Sequence, residues 1–160
     1  MRSLRFRFNS AFLAILLFNA IGAAAVFWTL AGQRHDAAVI NKAGAQRMLS
    51  QRLAKEALLC ARGQCSAAQF METVAAFDTV YQGLLNGNAE LGLPATKNPE
   101  ILDQLRTVGT TWATVHAASK ALAASLGQDA SKPDESALQV IAAQNVTLLK
   151  NMNDAVGLYE

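Results

Sequence analysis

Little in this sequence points to chemistry. It has two cysteines and two histidines, and the histidines, His35 and His116, lie far apart. His35 beside Asp36 reads as a solvated pair, and His116 after Val115 as a surface residue. No serine, cysteine or carboxylate cluster has the spacing of a nucleophile with its base, so the chain is not expected to be an enzyme. Two thiols without His or Asp neighbours at ligand spacing do not make a metal site, and nothing implies a cofactor. No segment reads convincingly as a strand, and there is no internal repeat or low-complexity tract. Charge is scarce, at 16% of residues, and the first 35 positions contain no acid.

The charge that is present is unevenly placed. Arg2, Arg5 and Arg7 account for the net charge of +2, since from Gln33 onward 11 basic residues face 12 acidic ones. The pI near 8.7 is therefore a property of the leader, and no basic stripe remains to suggest nucleic acid as a partner. After the arginines, Ala11 to Ala31 carry no charge, and Asn19 and Thr29 are the only clearly polar members.

A signal peptide has an apolar run of roughly 7–15 residues and a small-residue cleavage site, which Ala23-Ala24-Ala25 could supply. Here the run continues through Val26, Phe27, Trp28, Thr29 and Leu30, towards the ~20 residues a membrane helix needs. Trp28 would then sit at the outer interface. The reading favoured is an uncleaved anchor over residues 1–32. The alternative is a cleaved leader and a free periplasmic domain. In both cases the arginines stay in the cytoplasm and the remainder is exported. The expectation is a single-pass protein of the bacterial inner membrane. No second span follows, so a periplasmic domain over 33–160 should end outside.

Cys60 and Cys65 are even in number in an exported chain, which favours a disulfide over two half-buried thiols. They bracket Ala61-Arg62-Gly63-Gln64, a tight turn between helices. The first helix of the domain is expected to end near Leu59. Ser66 can cap the second, with Gln69 completing a capping box. Phe70, Val74, Phe77, Tyr81 and Leu84 then follow at alternating spacings of four and three, as a bundle seam does. Asn86-Gly87-Asn88 breaks the pattern, and Asn98-Pro99 reads as cap and first residue of a third helix. That helix carries Ile101, Leu105, Val108, Trp112, Val115, Ser119, Leu122 and Leu126, and Gly127 stops it. Leu138, Ile141, Asn145, Leu148, Met152, Ala155 and Tyr159 mark a fourth. The expected fold is all-α, an antiparallel four-helix bundle preceded by an N-terminal transmembrane or signal helix. The Trp112 and Phe positions read as core packing.

The first helix differs from the others. One face offers Leu49, Leu53 and Cys60, with Ala45 beside them. The opposite face, at heptad spacing, offers Ile40, Gly44, Arg47, Gln51, Ala54 and Leu58. A helix with two such faces has two partners, and the second is expected to be the same helix of another subunit, since a two-fold axis brings identical faces together. Two copies of Arg47 would then meet with no acid on that face, an unfavourable arrangement in a partly dry seam. An anion reverses the sign, because a guanidinium donates paired hydrogen bonds to planar oxyanions. Gly44 leaves room beside such an anion, and Ser50 and Gln51 can add neutral donors. Arg52 has Glu56 four residues on and fits an ordinary helix-surface pair. Arg47 has no such neighbour: Ala43, Gly44, Ser50 and Gln51 occupy the positions one turn away.

The stretch Ile40-Asn41-Lys42-Ala43-Gly44-Ala45-Gln46-Arg47-Met48-Leu49-Ser50-Gln51-Arg52 resembles the signature of the PilJ-type sensor domain, the N-terminal domain of type IV pili methyl-accepting chemotaxis transducers. It is similar also to the anion-binding stretch of nitrate/nitrite sensor histidine kinases. The dense match, Asn-x-Ala-Gly-x-x-Arg-Met-x-Ser-x-Arg, covers about 15 residues, and the four-helix layout agrees less specifically. The resemblance implies a homodimer that binds nitrate or nitrite between two copies of the first helix. Arg47 would be the main ligand, and Gly44 with its neighbours, Ala43 and Ile40 among them, would line the pocket. Arg52 matches the motif's second arginine. Signalling members continue into a second membrane helix and an output domain, whereas this sequence stops at Tyr159-Glu160. A stand-alone binding protein, an accessory subunit of a membrane signalling partner and a truncated receptor all fit that end. The reading set against the sensor is a membrane-anchored structural or interaction bundle without a small-molecule ligand, in which Arg47 faces solvent or a partner's acid.

Overall fold

A computed structural model describes residues 4–129 and 131–159. Arg2 lies outside the described residues, as do the side chains of Arg5, Arg7 and residues 31–38, and with them the His35–Asp36 pair. Four helices make up the described chain: α1 (Leu4–Ala61), α2 (Ala67–Asn86), α3 (Pro99–Gln128) and α4 (Glu135–Gly157). It divides into two units, Met1–Ala37 and Ala38–Glu160.

The first unit is helical from Leu4. Within it Phe8–Leu30, 23 residues of mean hydropathy 2.2, is long and apolar enough to cross a bilayer, since at ~1.5 Å per residue it exceeds the ~30 Å hydrocarbon core. Asn19 donates to the Ile15 carbonyl at 2.8 Å and Thr29 to the Ala25 carbonyl at 2.9 Å. Both side chains thus find an acceptor on their own helix, which is what an apolar solvent demands.

The second unit is an antiparallel four-helix bundle, and its boundaries follow local chemistry. At the start of α2 the Ser66 hydroxyl accepts from the Gln69 backbone N–H. Asn98 accepts from Glu100 N–H with Pro99 opening α3, and Asp134 accepts from Ala137 N–H at α4. These caps answer backbone donors that a helix leaves open at its N-terminus. Gly63 and Gly87 take positive φ, 72° and 84°, where the chain leaves α1 and α2. Cys60 and Cys65 are joined, their Cα atoms 4.5 Å apart, and so clamp the α1–α2 turn.

Cross-links show the antiparallel order directly. Gln46 of α1 bonds the Phe77 carbonyl of α2, and Tyr81 of α2 the Leu105 carbonyl of α3. Gln104 and Thr111 of α3 both meet Asn151 of α4. Arg47 and Gln51 of α1 meet Asn153 and Asn145 of α4, in reversed order. The ring of helices is therefore α1–α2–α3–α4 and back to α1.

The core holds the expected seams of α2 and α3 in full, from Phe70 to Leu84 and from Ile101 to Leu126. Phe77 and Trp112 pack ring on ring at 4.2 Å, and Trp112 Nε1 donates to Asp78 at 2.8 Å. His116 is half-buried against Trp112. On α4, Ile141, Leu148, Met152 and Ala155 are buried, with Leu138 and Asn145 half-buried, as is Tyr159 in the turn that follows it.

The inward face of α1 is turned relative to the sequence expectation. It consists of Val39, Ala43, Gln46, Ser50, Leu53, Ala57 and Cys60, while Leu49 and Ala45 are only half-buried. Three polar residues of α1 are buried, each with a partner: Gln46 donates to the Phe77 carbonyl, Ser50 to the Arg47 carbonyl of its own helix, 2.8 Å away, and Glu56 accepts from Arg52. A satisfied hydroxyl costs little on burial. The register of Ala43, Leu53, Ala57 and Cys60 therefore prevails over the size of Leu49.

Candidate anion-binding site

With Ala43, Gln46 and Ser50 turned inward, α1 presents Gly44, Arg47, Met48, Gln51, Lys55 and Leu58 along its outer side. Arg47, Met48, Gln51, Lys55 and Leu58 are exposed, and Ile40 and Gly44 are half-buried. The structure thus brings Ile40, Gly44, Arg47 and Gln51 to the outer side of one helix. Ala43, with no exposed surface, and Ser50 lie on the core side, and the Ser50 hydroxyl is taken up by the Arg47 carbonyl.

Arg47 occupies the boundary between α1 and α4. Its Nη1 donates to the Asn153 Oδ1 at 3.3 Å. A Cβ added at Gly44 would sit 3.5 Å from its Nη2. The guanidinium thus folds back over the glycine, and the missing side chain leaves it open to the outside. One stretch along, Gln51 and Asn145 exchange two amide hydrogen bonds, at 3.3 and 3.4 Å. Both partners that α4 offers across this face are neutral amides.

No carboxylate pairs with Arg47 among the described residues. Asp154, next to Asn153, is taken by Lys150 at 2.7 Å. Arg52 behaves differently: its Nε meets Glu56 Oε1 at 2.7 Å, and the Glu56 side chain is only 8% exposed. Arg52 is thus committed to a structural ion pair, whereas Arg47 keeps an uncompensated positive charge at the surface. A planar donor fork with free N–H groups is what a small oxyanion requires.

Sequence reasoning singled out the α1 side of this site but not its α4 side. The heptad spacing of α4 places Asn145 on its inner seam, and no local pattern marks Asn153. The available signal was their eight-residue separation, which returns to the same side of a helix after about two turns.

Comparison with known proteins follows the same outline. The family model for the type IV pili methyl-accepting chemotaxis transducer N-terminal domain, PilJ, matches residues 28–152. The chain belongs to the PilJ family. Among curated proteins, the methyl-accepting chemotaxis protein McpN of Pseudomonas aeruginosa is 34% identical over 119 residues, 74% of this chain. The matched region is 21% of McpN, so the chain spans about a fifth of that relative's length. Among solved structures, the ligand-binding domain of the P. aeruginosa nitrate receptor McpN superposes with a TM-score of 0.64 at 34% identity, covering 76% of this chain and 92% of that one. The PilJ match takes in Gly44, Arg47, Gln51 and Asn145, and it ends one residue before Asn153.

Proposed function

We propose that the chain is a non-catalytic sensor module that binds a small oxyanion, nitrate or nitrite, between the α1 helices of two copies. In this reading Phe8–Leu30 anchors it in the bacterial inner membrane and the bundle lies in the periplasm. The observation that carries the proposal is Arg47: an exposed guanidinium, folded over Gly44, without a carboxylate partner among the described residues. The likeness to the ligand-binding domain of a nitrate receptor supports the choice of anion.

A second copy is the natural cover for this surface. Met48 and Leu58 are 63% and 45% exposed on α1, and Val146, next to Asn145 on α4, is 71% exposed. Exposed apolar side chains on the helices that bear Arg47 and its partner suit an interface in which each copy supplies one Arg47. The two charges oppose association, and one anion between them offsets that repulsion while accepting hydrogen bonds from both. Ile40, Gly44 and Gln51 flank the bound anion. Ala43 and Ser50 support the helix from inside.

The test is sedimentation velocity with and without nitrate. A ligand that binds the dimer preferentially stabilises it, by about 2.7 kcal/mol at a hundredfold excess over its dissociation constant. Nitrate should raise the dimer fraction of the wild type, and chloride at equal ionic strength should do so much less. An equal response to the two salts would contradict the proposal.

A further inference from the structure

We propose that Asn153 on α4 sets the affinity of the anion site by holding the Arg47 guanidinium until an anion takes it over. This rests on the reading of Arg47 as the anion ligand. A side-chain amide oxygen is a neutral acceptor. It holds the guanidinium in place without cancelling its charge, as a carboxylate would. The neighbouring carboxylate that might have done so, Asp154, is bound by Lys150. The contact is also yielding. It is a single hydrogen bond of 3.3 Å between two exposed side chains, and a charge-assisted bond to an oxyanion is stronger than one to a neutral amide.

Two consequences distinguish this role from that of an anion ligand. Asn153 competes with the anion for Arg47 N–H groups, so removing its acceptor should tighten binding. Its neutrality is essential, so converting it to a carboxylate should place a resident anion on Arg47 and exclude the mobile one. The Gln51–Asn145 pair makes the same face neutral on its other side. An anion that releases Arg47 from Asn153 thereby loosens one of the two polar links between α1 and α4 on this face.

The experiment is calorimetric titration of the full chain, in detergent, with sodium nitrate. Asn153→Ala should bind nitrate about three- to fivefold more tightly than wild type, the worth of one long, solvent-exposed hydrogen bond. Asn153→Asp should bind more than about tenfold more weakly, since the ion pair must be broken first. Asn153→Gln, which keeps a neutral amide acceptor, should stay closer to wild type than either. Thr147→Asp, which adds the same charge at another exposed position of α4, should leave affinity little changed. All four should keep wild-type helicity by circular dichroism. Weaker binding by Asn153→Ala would make Asn153 a ligand and overturn the inference. Wild-type affinity in both Asn153→Ala and Asn153→Asp would also overturn it, with the Arg47 reading intact. A wild-type chain that takes up no nitrate overturns that reading, and this inference with it.

Discussion

Gln46 of α1 donates through Nε2 to the carbonyl of Phe77 of α2 at 2.8 Å, while its own Oε1 is buried without a partner among the described residues. The side chain has no exposed surface, so half of it is satisfied and half is not. It lies immediately before Arg47 on α1, so its burial turns the neighbouring Arg47 to the outside.

Gln46→Met removes one net hydrogen bond of about 1 kcal/mol and also the cost of an orphaned acceptor, about 1–3 kcal/mol. The variant should melt at or above the wild-type temperature. Gln46→Glu should lower stability by several kcal/mol, because it buries a carboxylate with no cationic partner. Thermal melts followed by circular dichroism check both. A wild-type melt for Gln46→Glu would show that the position is not buried.

Tyr81 and Gly109 form a second coupled pair. A Cβ at Gly109 would run into the Tyr81 hydroxyl, which is tied to the Leu105 carbonyl at 3.2 Å. Gly109→Ala gains about 1 kcal/mol of helix propensity. Overpacking costs about 1–3 kcal/mol, and the Tyr81 bond is lost as well, so the net effect should be destabilising. Combining it with Tyr81→Phe should recover part of the loss. Strictly additive effects of the two changes in urea denaturation would argue against the contact.

Much of this bundle was legible in the sequence, and the reason is physical. The α2 and α3 seams are strict heptads of large apolar residues, bounded by Ser66, Asn98 and Gly87, and periodicity with caps suffices there. On α1 the same logic weighed Leu49 above Ser50 and Gln46. It could not see that Phe77 and Arg47 carbonyls would accept from the buried polar side chains. The outer face was legible because Arg47 lacks an acid at helical spacing. Its α4 partner was not, since a contact 106 residues away leaves no local pattern.

Alkaline pH should weaken the bundle through its tyrosines. Burial, helped by the Asp78 carboxylate, raises the pKa of Tyr81 above 10.0. Burial also raises that of Tyr159, against a smaller opposing effect of its bond to Thr96. The folded state therefore keeps protons that the unfolded chain releases. Stability from this source is fully present below pH ~10 and falls as pH rises through the folded values. A melting series from about pH 8 to 11 should show the decline, and Tyr81→Phe with Tyr159→Phe should flatten it. A decline unchanged in the double variant would assign it elsewhere.

The Cys60–Cys65 bridge closes a short loop, with five residues of sequence separation. In the chain-entropy model such a loop contributes about 2 kcal/mol. Replacing both by Ser should lower the denaturation midpoint by that modest amount and leave nitrate binding unchanged, because neither side chain belongs to the outer face. A loss of nitrate binding in the folded double variant would mean that the turn controls the site.

The most direct measurement is calorimetric titration of the chain with nitrate, wild type beside Arg47→Ala and Arg47→Lys. The wild type should bind nitrate and show little heat with chloride. Arg47→Ala should bind none while keeping its helicity, and Arg47→Lys should lose most of the affinity, because an ammonium cannot present the planar fork. Equal nitrate binding by wild type and Arg47→Ala would contradict the assignment of the site to Arg47.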